Sequence, residues 1–326
     1  MPYLNVRGVE HYYEWISTSD RFSLDGTPIS DKPTLVFIHG WAGSTRYWVS
    51  TARSLAQEFD CLLYDMRGFG RSQLPRPVPS AVTALGYELE SYADDLAILL
   101  DALQLQRVYL NAHSTGASIA VLFINRFSER VEQAILTCSG VFEYNESAFK
   151  LFHQASQYVV SFRPGWLLKL PGAARLFMLR FLRRSIPGSA QRDFLEDYIA
   201  ADYEAALGTV YTAVSERAAE VMPQQFAQLQ VPVLLISGEY DQIIPPKLGE
   251  QAAALSRRIT QIIMSNTAHF PMLEDPETYL QQVRQFCGFL NPLGDQQHGR
   301  SGSGGRTIIM RALHAFTPIL ILASAS

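Results

Sequence analysis

Short apolar runs punctuate the first 140 residues: Thr34–Ile38 (TLVFI), Cys61–Tyr64 (CLLY), Val108–Ala112 (VYLNA) and Ala134–Cys138 (AILTC). Runs this short and this poor in polar positions are the signature of strands buried on both faces. Between them, Tyr47–Gln57, Leu89–Leu103 and Ser118–Phe127 place apolar side chains at helical spacing. Buried strands alternating with helices predict βαβ crossovers. The fold class is therefore α/β: a mostly parallel twisted sheet with helices on both faces. The pattern returns late in the chain. Val233–Ser237 (VLLIS) and Gln261–Met264 (QIIM) read as strands, with a helix over Pro246–Leu255 between them and a closing helix over Glu277–Leu290.

From Gly140 to Val231 the strand pattern is absent, and the chain is helical in spacing and rich in aromatics. This divides the molecule into a core over residues 1–140 and 231–290, an inserted helical cap over 141–230, and a Gly-rich linker and tail over 291–326. The tail contains no apolar run long enough to span a bilayer. Charge is segregated within the cap. Residues 150–192 carry eight basic side chains and no acid, and residues 193–220 carry seven acids and only Arg217 as a base. Two readings stay open. The halves pair with each other or face solvent, or the basic half forms a rim for an anionic substrate or a weak anionic lipid contact.

With 326 residues, 48% hydrophobic and 18% charged, the chain has ample material for a core, which excludes disordered, collagen-like and disulfide-scaffold proteins. Lys+Arg 27 against Asp+Glu 31 gives a net charge of −4, which argues against a nucleic-acid binder. The cysteines, Cys61, Cys138 and Cys287, are odd in number and widely spaced, as expected of free thiols in a reducing compartment. The N-terminus has no charged segment followed by an apolar core. Cytoplasmic residence is the expectation. The residues leave the oligomeric state open.

The chemistry concentrates in VYLNAHSTGASIAVLF, where a strand runs through Ala112-His113-Ser114-Thr115-Gly116 into an apolar helix. A strand-to-helix turn this sharp lifts the serine Oγ above the sheet edge and demands small neighbours. It also sets a helix N-terminus and free N–H groups beside any developing oxyanion. Four further segments each follow a strand. His39-Gly40-Trp41 comes after TLVFI, and Asp65-Met66-Arg67-Gly68-Phe69-Gly70-Arg71-Ser72 after CLLY. Gly238-Glu239-Tyr240-Asp241 closes VLLIS, and Ser265-Asn266-Thr267-Ala268-His269 follows QIIM.

Together these motifs resemble the α/β-hydrolase superfamily in its serine hydrolase branch, over roughly residues 3–290. The elbow reads A-x-S-x-G, with Ala112 where the family pattern has glycine. The resemblance implies catalytic roles for Ser114 as nucleophile, His269 as base and Asp241 as its acid partner, with Glu143 as second candidate for the acid. It implies an oxyanion hole from the backbone N–H groups of Trp41 and Thr115. Supporting positions are Gly40 and Gly116, with His39 organising the loop by hydrogen bonds. The Asp65–Ser72 turn has an architectural role. Serine at position 114 argues against haloalkane dehalogenase and epoxide hydrolase relatives, which use Asp as nucleophile. No HExxH and no ligand-spaced Cys/His cluster occurs, so neither a metal nor a cofactor is expected.

The expected activity is cleavage of a carboxylic ester, with the aromatic cap suggesting an apolar acyl or aromatic substrate. The same residues fit thioester hydrolysis, carbon–carbon bond hydrolysis and acyl transfer. A non-catalytic ligand receptor on this fold is the reading from a different class.

Overall fold

A computed structural model describes residues 3–23 and 26–290; the linker and tail expected over 291–326 lie outside the described residues. Two strands that the apolar-run reading misses come first. Arg7 and Gly8 both take positive φ, 54° and 89°, which a two-residue hairpin turn requires. They join β1 (Tyr3–Val6) to β2 (Val9–Ile16) as an antiparallel pair. In β2, Val9, His11 and Tyr13 point inward while Glu10 is exposed, a half-buried alternation rather than a solid apolar run.

The apolar runs then appear as strands. β3 (Thr34–Ile38) leads through α1 (Val49–Leu55) to β4 (Asp60–Tyr64), and α2 (Ser80–Thr83) and α3 (Leu89–Ala102) lead to β5 (Val108–His113). α4 (Thr115–Arg126) crosses to β6 (Val131–Thr137), which begins three residues before the apolar run AILTC. The next helices are α5 (Glu146–Ser161), α6 (Ala173–Met178), α7 (Gly188–Ala200), α8 (Tyr203–Ala213) and α9 (Glu216–Ala227). The chain re-enters the sheet as β7 (Val233–Gly238), crosses through α10 (Pro246–Ala254) to β8 (Ile259–Met264), and ends in α11 (Pro271–Glu274) and α12 (Pro276–Phe286).

The sheet order is β1-β2-β4-β3-β5-β6-β7-β8, parallel from β4 through β8. From β3 the chain steps outward to β4, then returns past β3 to β5. Loops at the carboxyl ends of β3 and β5 therefore diverge and open a crevice between them. Successive residues of each strand feed opposite cores. Leu35 and Phe37 pack with Ala52 and Leu55 of α1 and with Tyr279 and Val283 of α12. Val36 and Ile38 pack with Leu96 and Leu100 of α3 and with Val121 and Phe123 of α4. Burial on both faces is why these strands read as solid apolar runs.

The segregated charges between β6 and β7 pair with other parts of the chain more than with each other. Asp193, Glu196 and Asp197 ion-pair with Arg46 at the carboxyl side of β3, at 3.0, 2.9 and 2.5 Å. Asp202 pairs with Arg76. Across the boundary between the two halves, the salt bridge among the described residues is Arg192–Glu196, 2.9 Å. The acids thus bind these helices to the sheet. All three cysteines are free, Cys61 and Cys138 buried and Cys287 partly so.

Candidate active site

Ser114 sits between β5 and α4 with φ 53° and ψ −124°, a conformation costly for a residue with a Cβ. The turn is held on both sides. The Ser114 N–H donates to Thr137 O at 2.9 Å, and its carbonyl accepts from Ala117 N at 2.8 Å. α4 comes so close to β3 that a Cβ at Gly116 would lie 2.3 Å from His39 O and 2.8 Å from Ile38 O. Only glycine fits there. Ala112 is fully buried, and its methyl is accommodated in the core. Ser114 and Thr115 are partly exposed, so the hydroxyl is open to approach.

The late loops bring their partners to this point. His269 Nε2 lies 3.2 Å from Ser114 Oγ, and His269 Nδ1 lies 2.8 Å from Asp241 Oδ2. The other oxygen of Asp241 accepts from the N–H groups of Ile243 and Ile244, at 2.8 and 3.1 Å. That carboxylate is fully buried and saturated, so it holds the imidazole in one orientation. Glu143 is exposed, and Asp241 is the carboxylate at the imidazole.

His39 accepts from Met66 N–H through Nε2 at 2.9 Å and donates from Nδ1 to Gly40 O at 2.8 Å. Both nitrogens are occupied, and burial lowers its pKa from the ordinary imidazole value. It orders the loop that carries Gly40 and Trp41. The backbone N–H groups of Trp41 and Thr115 have no partner among the loop and turn hydrogen bonds of the described residues. The Trp41 indole donates to Ala206 O of α8 at 2.8 Å, which ties this loop to the inserted helices. Asp65 accepts from Thr45 N at 2.7 Å and Arg71 N at 2.8 Å, and Arg67 pairs with Asp95 at 2.8 Å. These contacts make the Asp65–Ser72 turn a structural brace.

Three residues that the motifs do not single out complete the arrangement. The Gly40 N–H donates to Tyr47 Oη at 2.5 Å, and Tyr47 Oη lies 3.1 Å from His113 Nδ1. His113 Nε2 lies 2.8 Å from His269 O. The consistent assignment has Tyr47 donating to Nδ1 and Nε2–H donating to the carbonyl, which keeps His113 neutral. Burial drives the His113 pKa well below the ordinary imidazole range, with the neighbouring His269 adding to the effect. This chain of bonds links the Gly40 loop to the His269 loop beneath Ser114. The third residue is Glu274. One of its oxygens accepts from Ala268 N at 2.8 Å, and the other from Arg183 N and Arg184 N at 2.6 and 2.7 Å. The His269 N–H donates to Phe181 O at 2.9 Å. The His269 loop is thereby stitched to the segment after α6. The hydroxyl of Tyr47 and the carboxylate of Glu274 are single polar groups with no spacing signature, and each also bonds to a residue far away in sequence, His113 for Tyr47 and Arg183 and Arg184 for Glu274.

His113, Cys138 and His269 bring ligand-type atoms within 4.8 Å of one another. The two nitrogens of His113 are already hydrogen-bonded, and burial, with Asp241 adding to it, pushes the Cys138 thiol well above its usual range. A soft cation would need that thiolate, so the trio is better matched to packing than to ligation.

The alpha/beta hydrolase fold family model matches residues 33–276, and the chain belongs to that family. It is 25% identical over 293 residues to the uncharacterized protein Rv2715 of Mycobacterium tuberculosis, covering 85% of this chain and 83% of that one. A Pseudomonas syringae protein whose name proposes a carbamate hydrolase, RutD, is 26% identical over 277 residues, covering 79% and 94%. The structure of a thermophilic esterase from Thermogutta terrifontis superposes with TM-score 0.66 at 21% identity, covering 88% of this chain and 97% of that one, and shows the shared fold. Among the described residues, no helix is long and apolar enough to cross a membrane.

Proposed function

We propose that the chain is a serine hydrolase that cleaves carboxylic esters with an apolar acyl or aromatic portion, through an acyl-enzyme and without a metal or cofactor. The observation that carries this reading is the row Ser114 Oγ, His269 imidazole, Asp241 carboxylate, at 3.2 and 2.8 Å, with the hydroxyl accessible.

His269 Nε2 takes the Ser114 proton as Oγ attacks the acyl carbonyl. The carbonyl π electrons move onto oxygen, which the N–H groups of Trp41 and Thr115 receive; such donors are worth ~3 kcal/mol each. Asp241 stabilises the imidazolium and holds its tautomer. The tetrahedral species collapses, the acyl–oxygen bond breaks, and His269 returns the proton to the departing alkoxide. Water then repeats the sequence on the acyl-enzyme.

The name of the RutD relative favours a second reading, carbamate hydrolysis by the same residues. A panel of esters, thioesters, carbamates and diketones tests both. Ester turnover that falls by roughly 10⁴-fold or more in both Ser114→Ala and His269→Ala is expected. Faster turnover of carbamates than of matched esters would move the assignment to the second reading. Ester turnover that survives Ser114→Ala would remove both.

A further inference from the structure

The six most exposed large apolar side chains among the described residues all lie between residues 150 and 180. They are Leu176 at 71%, Tyr158 at 67%, Leu179 at 60%, Leu151 at 57%, Phe162 at 55% and Trp166 at 52%. Leu151, Tyr158 and Phe162 are spaced seven and four residues apart, which aligns them along one side of α5 and its end. Leu176 and Leu179 share one side of α6 by the same rule. Soluble surfaces scatter such side chains singly, and a concentration of this kind marks a contact surface.

The charges on the same stretch identify what it contacts. Lys150, Lys169 and Arg175 are exposed and make no salt bridge among the described residues, while the Arg183 guanidinium lies over the Tyr240 ring at 4.5 Å. Four of the seven acids that follow, Asp193, Glu196, Asp197 and Asp202, are committed to Arg46 and Arg76 instead. A second copy of this chain meeting the face symmetrically would set like charges against each other. Aromatic and leucine side chains interleaved with unpaired cations suit a bilayer interface carrying anionic headgroups.

We propose that residues 150–184 form a docking face for an anionic lipid bilayer. Tyr158, Phe162, Trp166 and the two leucines of α6 enter the interfacial layer, and Lys150, Lys169 and Arg175 meet the headgroups. The face leads directly to Phe181, whose carbonyl holds the His269 backbone, and to Arg183 and Arg184 at Glu274. Docking therefore sets the crevice above Ser114 beside the membrane. The corollary that the esters are lipid-borne rests on the hydrolase reading; the binding does not.

Sedimentation of the full chain with vesicles tests it, using phosphatidylcholine alone and phosphatidylcholine with 30% phosphatidylserine. Partitioning at least tenfold stronger to the anionic vesicles, and weakened in high salt, is expected. Lys169→Glu with Arg175→Glu should lose that preference. Leu176→Ser with Leu179→Ser should weaken binding to both vesicle types, since it deletes buried apolar contact. Ser114→Ala should bind as the wild type does, which separates docking from catalysis. Equal partitioning to both vesicle types, or wild-type binding by both double variants with unchanged thermal unfolding, would overturn the proposal. So would a shift of the lipid-free protein from dimer to monomer on the leucine substitutions, since it would assign the face to a second copy.

Discussion

His11, His39 and His113 are buried, and burial is the main cause that lowers each pKa from the ordinary 6.5. The unfolded chain takes up these protons near pH 6.5, and the folded chain declines them. Their contribution to stability is complete above pH 6.5 and is lost as pH falls towards the folded values, by at most ~1.4 kcal/mol per pH unit per group. Asp197 works in the opposite direction. Burial raises its pKa from 3.8 to about 6, so the folded state gains on acidification through that window. One carboxyl offsets one imidazole of three. The midpoint of thermal unfolding should be level from pH 8 to 7 and fall progressively from pH 6.5 to 5. His113→Gln should reduce the steepness of that fall by about one proton. A midpoint unchanged down to pH 5 would show that these imidazoles are not held neutral.

Elements behave as units here because single carboxylates join their ends. Glu274 receives N–H groups from the His269 loop and from the segment that follows α6. Glu274→Gln keeps one acceptor oxygen and loses the charge that strengthens all of these bonds, at a cost of about 1.5–3 kcal/mol. If His269 is the base, its displacement should lower kcat by about tenfold or more with KM changed much less. Wild-type kcat in a folded Glu274→Gln protein would show that the clamp does not position the imidazole. This is also the scale at which sequence and structure part company. β3 through β7 are legible because strands buried on both faces are written as largely apolar runs, and β8, an edge strand with Thr260 and Ile263 exposed, is legible from its apolar end Ile262–Met264. β1 and β2 are not, since a half-buried hairpin alternates Glu10, Tyr12 and Glu14 with its inward residues Val9, His11 and Tyr13. Ser114, Asp241 and His269 are legible from their places just past strands. Tyr47, Glu274 and Arg46 are single polar residues whose partners stand 66, 90 and 151 positions away, and no local spacing records that.

At the scale of the molecule, reversal of strand order around β3 opens the crevice, and the loops after β3, β5, β7 and β8 bring their polar groups to that edge. The net charge of −4 conceals a division of labour. Asp193, Glu196, Asp197 and Asp202 of the inserted helices pair with Arg46 and Arg76, while Lys150, Lys169 and Arg175 ahead of them are exposed. The central claim is that this assembly makes the Ser114 hydroxyl a nucleophile. The most direct measurement is intact-protein mass spectrometry after treatment with a fluorophosphonate, which reacts with activated serines irrespective of the natural substrate. A single stoichiometric adduct mapped to Ser114, absent in Ser114→Ala and strongly slowed in His269→Ala, is the predicted result. Folded wild-type protein that takes up no label, or labels elsewhere, would contradict it.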